Sequence, residues 1–165
     1  MNPPPQIQRL LDDRSLEPLT PDAVAIEGLW IKAIHSDLDA REAMVSTDNR
    51  VGLAYQSGLQ AVHALLQAYG YRVRSRTSHH HYTFYAAQAL ARASGNDAID
   101  REALDLDKHR ARRAAAVYEA EPATAADLTE LLGILDRLLP AIRPVLIALL
   151  PDHAAAFLPP GTRAT

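Results

Sequence analysis

The stretch VGLAYQSGLQAVHALLQAYG, Val51 to Gly70, decides what kind of fold this chain can adopt. Its large side chains, Val51, Tyr55, Leu59, Val62, Leu66 and Tyr69, recur three and four residues apart. That spacing lines one face of a helix and fits no alternating strand. Gly70 then supplies the residue best suited to the left-handed backbone that closes a helix. Ala54, Ser57, Gly58 and Ala61 lie among the larger residues. Side chains that small let another helix come close, either inside a bundle or across a dimer seam.

Working outward, the same periodicity continues in both directions. Upstream, Thr20 followed by Pro21 predicts a helix from Pro21 to about Ala43, with Ile26, Trp30, Ile34 and Leu38 sharing a face. Before it, a short helix over Pro5 to Asp13 ends where Pro18 interrupts the pattern. Downstream, Ser78 is a candidate cap for a helix reaching Gly95, and Asn96 or Asp97 for one that stops before Pro122. A last long helix, capped near Thr124, carries Leu128, Leu131, Leu135, Leu138, Ile142, Leu146 and Leu149. Pro140 and Pro144 lie inside it and are expected to kink or split it. No segment reads as a strand. The expected fold is therefore all-α, an up-and-down antiparallel bundle of four to five main helices over residues 15–151. Residues 1–14 read as a tail or short helix, and residues 152–165 as a flexible tail.

Composition narrows the class further. The chain has 165 residues, 48% hydrophobic and 22% charged, which is the balance of one ordinary globular domain. It contains no cysteine, so disulfides, thiolate metal sites and cysteine nucleophiles are excluded. No run approaches the roughly 18 apolar residues of a membrane span, so the expectation is a cytoplasmic protein that does not enter membranes. The net charge is −3, and attraction to nucleic acid must come from a local basic patch.

Two such patches exist. The first is DKHRARRAAAVYEAEP, Asp107 to Pro122. On a helical wheel Ile99, Ala103, Leu106, Ala114 and Val117 form the core-facing stripe, with Arg110 and Arg113 in or beside it and Arg112 pointing away. An inward arginine requires a partner, because a buried unpaired charge is costly. Glu102 and Glu119 are the carboxylates within reach, and such pairing would make these arginines structural. The second patch, YRVRSRTSHHHY, sets Arg72, Arg74 and Arg76 at alternate positions. In an extended segment all three point the same way, a comb suited to a phosphate backbone or a solvated loop. Tyr71 and Tyr82 stand ready to stack on unpaired bases. His79, His80 and His81 are consecutive and diverge on a helix, so no metal site and no cofactor are expected. They suit a helix start or the phosphate patch, where His80 would join the arginines.

The segments GLAYQSGLQAVHALLQAYGYRVRSRTSHHH, Gly52 to His81, and RARRAAAVYE, Arg110 to Glu119, resemble the HEPN superfamily of higher eukaryote and prokaryote nucleotide-binding domains. The likeness runs in order of elements from about Ser15 to Pro151. It implies a helical bundle that forms a homodimer, whose catalytic members are metal-independent ribonucleases with an arginine, a polar residue and then a histidine. On that motif Arg113 takes the arginine place, Ala114 the polar place and Tyr118 the histidine place, giving an R-x4-Y version. Cleavage of RNA through its own 2'-hydroxyl needs a base titrating near neutrality and a cation for the phosphorane. Arg113 and Arg110 suit the second task. Tyr118 is a weak base, and His109, one turn before Arg113, is the substitute if it faces the same groove.

Three readings follow. The first is an RNA- or nucleotide-binding regulatory module without fast turnover. The second is a metal-independent endoribonuclease of toxin–antitoxin or defence type, with a nucleotidyltransferase-type antitoxin as partner. The third is a helical protein-interaction module whose arginines are structural.

Overall fold

The structure, a computed structural model, describes residues 3–74, 79–119 and 121–158, with the backbone alone for His79 and residues 111–119. Helices α1 (Pro5–Asp12), α2 (Ala23–Arg41), α3 (Thr47–Ala68), α4 (His79–Ser94), α5 (Asp97–Glu119) and α6 (Ala125–Leu149) carry the fold, so the chain is all-α in class.

Local chemistry sets several helix ends. Asp22 caps α2, its carboxylate accepting from the backbone N–H of Val24 at 3.0 Å and of Ala25 at 3.3 Å. The helix thus starts two residues beyond the expected Pro21. Gly70 closes the α3 segment at φ +85°, and Asn96 caps α5 by accepting from Ile99 N–H at 3.1 Å. Thr124 and Asp127 form a reciprocal capping box at the start of α6. That helix continues to Leu149 through both Pro140 and Pro144 rather than splitting at them. Its buried residues Leu135, Leu138, Leu139, Ile142 and Leu146 bracket the prolines and hold the helix by tertiary packing.

Helix α3 occupies the centre. It packs on α2, α4, α5 and α6, and Ala54, Ser57, Gly58, Ala61, Ala64 and Ala68 are all buried within the chain. The small-residue row is therefore an internal seam, not a surface offered to a second copy. At Gly58 an added Cβ would lie 2.7 Å from Leu106 Cδ1, which shows how closely α5 approaches there.

Two features depart from the expected pattern. Leu16–Pro18 (β1) and Tyr71–Val73 (β2) pair as a small antiparallel ladder, with Glu17 opposite Arg72. Three-residue strands carry too little alternation to be read from sequence, and this pairing joins segments more than 50 residues apart. The second departure is at the ends of the bundle. Ile7 and Leu10 of α1 are buried, with α1 against α4, so this helix is part of the bundle. Residues Pro151–Phe157, expected to begin a flexible tail, form a 3-10 helix whose Phe157 is fully buried. Its ring meets Trp30 edge-on at 6.4 Å, while the Arg143 guanidinium lies 5.9 Å from the Trp30 ring. His153 is hydrogen-bonded to Glu27 of α2.

Because Phe157 fills the core beside Trp30, Phe157→Ala is expected to lower unfolding free energy by about 3 kcal/mol. Thermal and urea melts check this; a variant as stable as the native chain would mean that the C-terminal segment contributes no packing.

Candidate functional site

The second turn of α3, the first turn of α4 and the middle of α5 converge on one cleft. It is lined by Val51, Gly52 and Tyr55 from α3, His80 from α4 and Arg110 from α5, with a cavity of about 230 Å³. Gly52 and Val51 make its apolar floor. Tyr55 is half-buried, its ring 6.0 Å from Phe84 in an edge-on contact and 5.9 Å from the His80 ring.

A chain of polar contacts fixes the walls. The Tyr55 hydroxyl and His80 Nδ1 share a hydrogen bond of 3.1 Å. Burial pushes the Tyr55 phenol well above its ordinary value, with nearby Arg110 opposing that shift and Asp107 adding to it. The phenol is thus protonated at neutral pH and has a proton to give to the imidazole. On the other side Asp107 is shared by two cationic or imidazole groups. Its Oδ2 lies 2.8 Å from His81 Nδ1, and its Oδ1 accepts from Arg110 Nε at 2.7 Å. One carboxylate therefore ties the start of α4 to α5 and pins the guanidinium by its Nε edge. The two Nη groups are the forked donors that phosphate oxygens accept.

The residues expected from sequence separate into groups. Arg110 and His80 come together here. Arg110 pairs with Asp107 and not with Glu102. Glu102 is 1% exposed and takes a two-pronged bond from Arg137 of α6, at 2.8 and 2.9 Å. His109, the candidate base, points away from the cleft: it is 1% exposed, with Nε2 4.0 Å from Asp127 Oδ1 in the first turn of α6. Neighbours on a helix diverge by about 100°, so a cleft-facing Arg110 sends His109 into the bundle. Arg113 and Tyr118, with Arg112, lie on α5 where the side chains fall outside the described residues; Arg76 and the His79 side chain fall outside them too.

Arg72 of β2 and Arg74, the residue that follows that strand, are both bound to Glu17 of β1. Arg72 borders a different cavity, with His63, Leu66, Gln67, Tyr71 and Val73. Arg72 and Arg74 thus form a cross-strand ion cluster with Glu17 beside the ladder. Among the described residues no group of three or more His, Asp or Glu is placed to hold a metal ion, and no helix is long and apolar enough to cross a membrane.

Sequence reasoning missed Tyr55, His81 and Asp107 as members of the site. Tyr55 matched the apolar period of α3, and Asp107 carried no signal beyond its acidity. No protein-family model, curated protein or solved structure matches the chain.

The ladder cluster makes a test by acid. The two arginines hold the Glu17 carboxyl below the ordinary carboxylate value of 4.5, Arg74 foremost. A depressed carboxylate stabilises the fold above its unfolded value and loses that contribution as pH falls through the folded one. Glu17→Gln is expected to melt below the native chain at neutral pH and to converge with it as the pH drops below about 4.5. Parallel melting curves at every pH would show that the cluster contributes nothing.

Proposed function

We propose that the chain is a HEPN-type RNA- or nucleotide-binding helical module that holds one unstacked nucleotide in the α3–α4–α5 cleft without fast turnover. The observation that carries this reading is the set of groups around a single cavity: an aromatic ring from Tyr55, an imidazole from His80 and a guanidinium from Arg110. Base faces stack on aromatic rings and phosphates accept forked bonds from arginine. At about 230 Å³ the cavity falls below the usual range for whole drug-sized ligands, which suits one nucleotide of a strand better than a large cofactor.

Binding is favoured over cleavage by the proton chemistry of the walls. Burial keeps the Tyr55 phenol protonated, which makes it a poor base. The His80 Nδ1 is engaged by that phenol, and His109 lies in the bundle interior. The endoribonuclease reading would have to use the Nε2 edge of His80 beside Arg110.

Labelled single-stranded RNA and free mononucleotides, titrated without divalent metal at two salt concentrations, test the proposal. Arg110→Ala is expected to weaken binding by roughly ten- to a hundredfold, about 1.5–3 kcal/mol, and to flatten its salt dependence. Tyr55→Ala is expected to cost about 1–3 kcal/mol through lost stacking, while Tyr55→Phe retains most of the affinity. RNA products that accumulate with the native chain and not with His80→Ala would replace this reading with the endoribonuclease. Absence of binding to any of these ligands overturns both.

A further inference from the structure

Two of the three consecutive histidines at the start of α4 part company there. His80 and His81 stand about 100° apart around the helix, so His80 meets Tyr55 of α3 while His81 turns to α5. His81 Nδ1 lies 2.8 Å from Asp107 Oδ2. A carboxylate accepts and does not donate, so Nδ1 carries a hydrogen whether the ring is neutral or charged. The proton that comes and goes with pH is therefore the one on Nε2, and the hydrogen bond to Asp107 survives its loss. The His81 side chain is 44% exposed, which lets that proton exchange with water, while Asp107 is 17% exposed.

The other groups around His81 leave its charge to act through this carboxylate. On α4 its ring lies 5.7 Å from Tyr82 and 6.2 Å from Tyr85, phenols that bring neither a cation nor a carboxylate. Across the cleft on α3, the Tyr55 hydroxyl is bonded to His80. The charged groups of β1, β2 and α1 are occupied elsewhere: Arg72 and Arg74 hold Glu17, and Asp12 is bonded to Gln8. On α5, Lys108 is paired with Asp105, which leaves Asp107 and Arg110 as the charges coupled to His81.

We propose that His81 is a positioning residue of the nucleotide cleft that sets, through Asp107, how much positive charge Arg110 presents to a phosphate. The inference rests on the nucleotide reading of that cleft. With His81 neutral, Asp107 and Arg110 set one negative charge against one positive and largely cancel. With His81 protonated, one carboxylate lies between two cations, and the cluster carries a net positive charge beside the Nη groups. Arg110 Nε is bonded to the other oxygen, Oδ1, at 2.7 Å, so the guanidinium keeps its orientation in both states. A ligand meets the same geometry with a different field. Affinity for a phosphodiester therefore rises as pH falls through the range in which imidazoles ordinarily titrate.

A short oligouridylate with hydroxyl groups at both ends is the probe that reads this. Its phosphodiesters keep one charge each, whereas a phosphomonoester gains its second near about pH 6 and would add a titration of its own. Titrated against the full chain at low salt, from about pH 8 to about pH 5.5, native affinity is expected to rise roughly three- to tenfold. His81→Asn keeps a donor at the place of Nδ1 and never becomes charged, so it is expected to hold the weaker, alkaline affinity throughout. His81→Lys is charged throughout and is expected to bind at the alkaline end about as tightly as the native chain does in acid. A purely structural role for His81 would lower the melting temperature of both variants and leave the pH profile in place. A pH dependence that His81→Asn retains would belong to His80 and overturn the proposal, as would native binding that is flat across the range. Either result leaves the nucleotide reading standing. No binding of the oligouridylate at any pH would overturn that reading and this proposal with it.

Discussion

The close approach of neighbours to α3 is the constraint on which the rest of the structure depends. A helix surrounded by others on most sides cannot be large on most sides, and α3 meets this with Ala54, Ser57, Gly58, Ala61, Ala64 and Ala68 between its leucines and valines. At Gly58 the missing side chain is occupied by the end of Leu106. Once α5 is that close, the positions of Asp107, the next residue, and Arg110, one turn farther along, are set against the start of α3. The cleft with Tyr55, Val51 and Gly52 is the outer end of the same packing.

Charge is arranged so that several arginines answer a carboxylate from another part of the fold. Arg137 meets Glu102 across α5 and α6, Arg41 joins Asp37 and Asp136 across α2 and α6, and Arg92 meets Asp100 across α4 and α5. Exposed pairs contribute little individually, roughly 0–1 kcal/mol. Glu102 differs because it is buried, and Arg137 is what makes its burial tolerable. With Arg72 and Arg74 committed to Glu17, the described surface holds no basic comb for a nucleic-acid backbone. Recognition at the cleft would then rest on the fit of one nucleotide rather than on a broad field.

The Asp107 carboxylate has a double role in that fit. It bridges His81 and Arg110, so the guanidinium is oriented before any ligand arrives, and less side-chain entropy remains to be lost on binding. The same negative charge offsets the cation it holds. A site built this way gains specificity in geometry at the expense of long-range attraction.

By itself the sequence determined the helical class, because apolar residues at three- and four-residue spacing can bury a face in no other regular structure. It also marked three helix ends through local chemistry: Gly70, Asn96 and Thr124 act within one turn of their own residues. What sequence could not determine was anything that depends on neighbours distant along the chain. The ladder of Leu16–Pro18 with Tyr71–Val73, the burial of Phe157 on Trp30, and the choice of Asp107 rather than Glu102 by Arg110 are all of this kind. The same holds for the site. Arg110 and His80 were legible as residue types suited to phosphate, but only packing turned one toward the cleft and sent His109 into the interior. A periodic pattern states which face of a helix is buried; which partner waits on that face is decided by the tertiary fold.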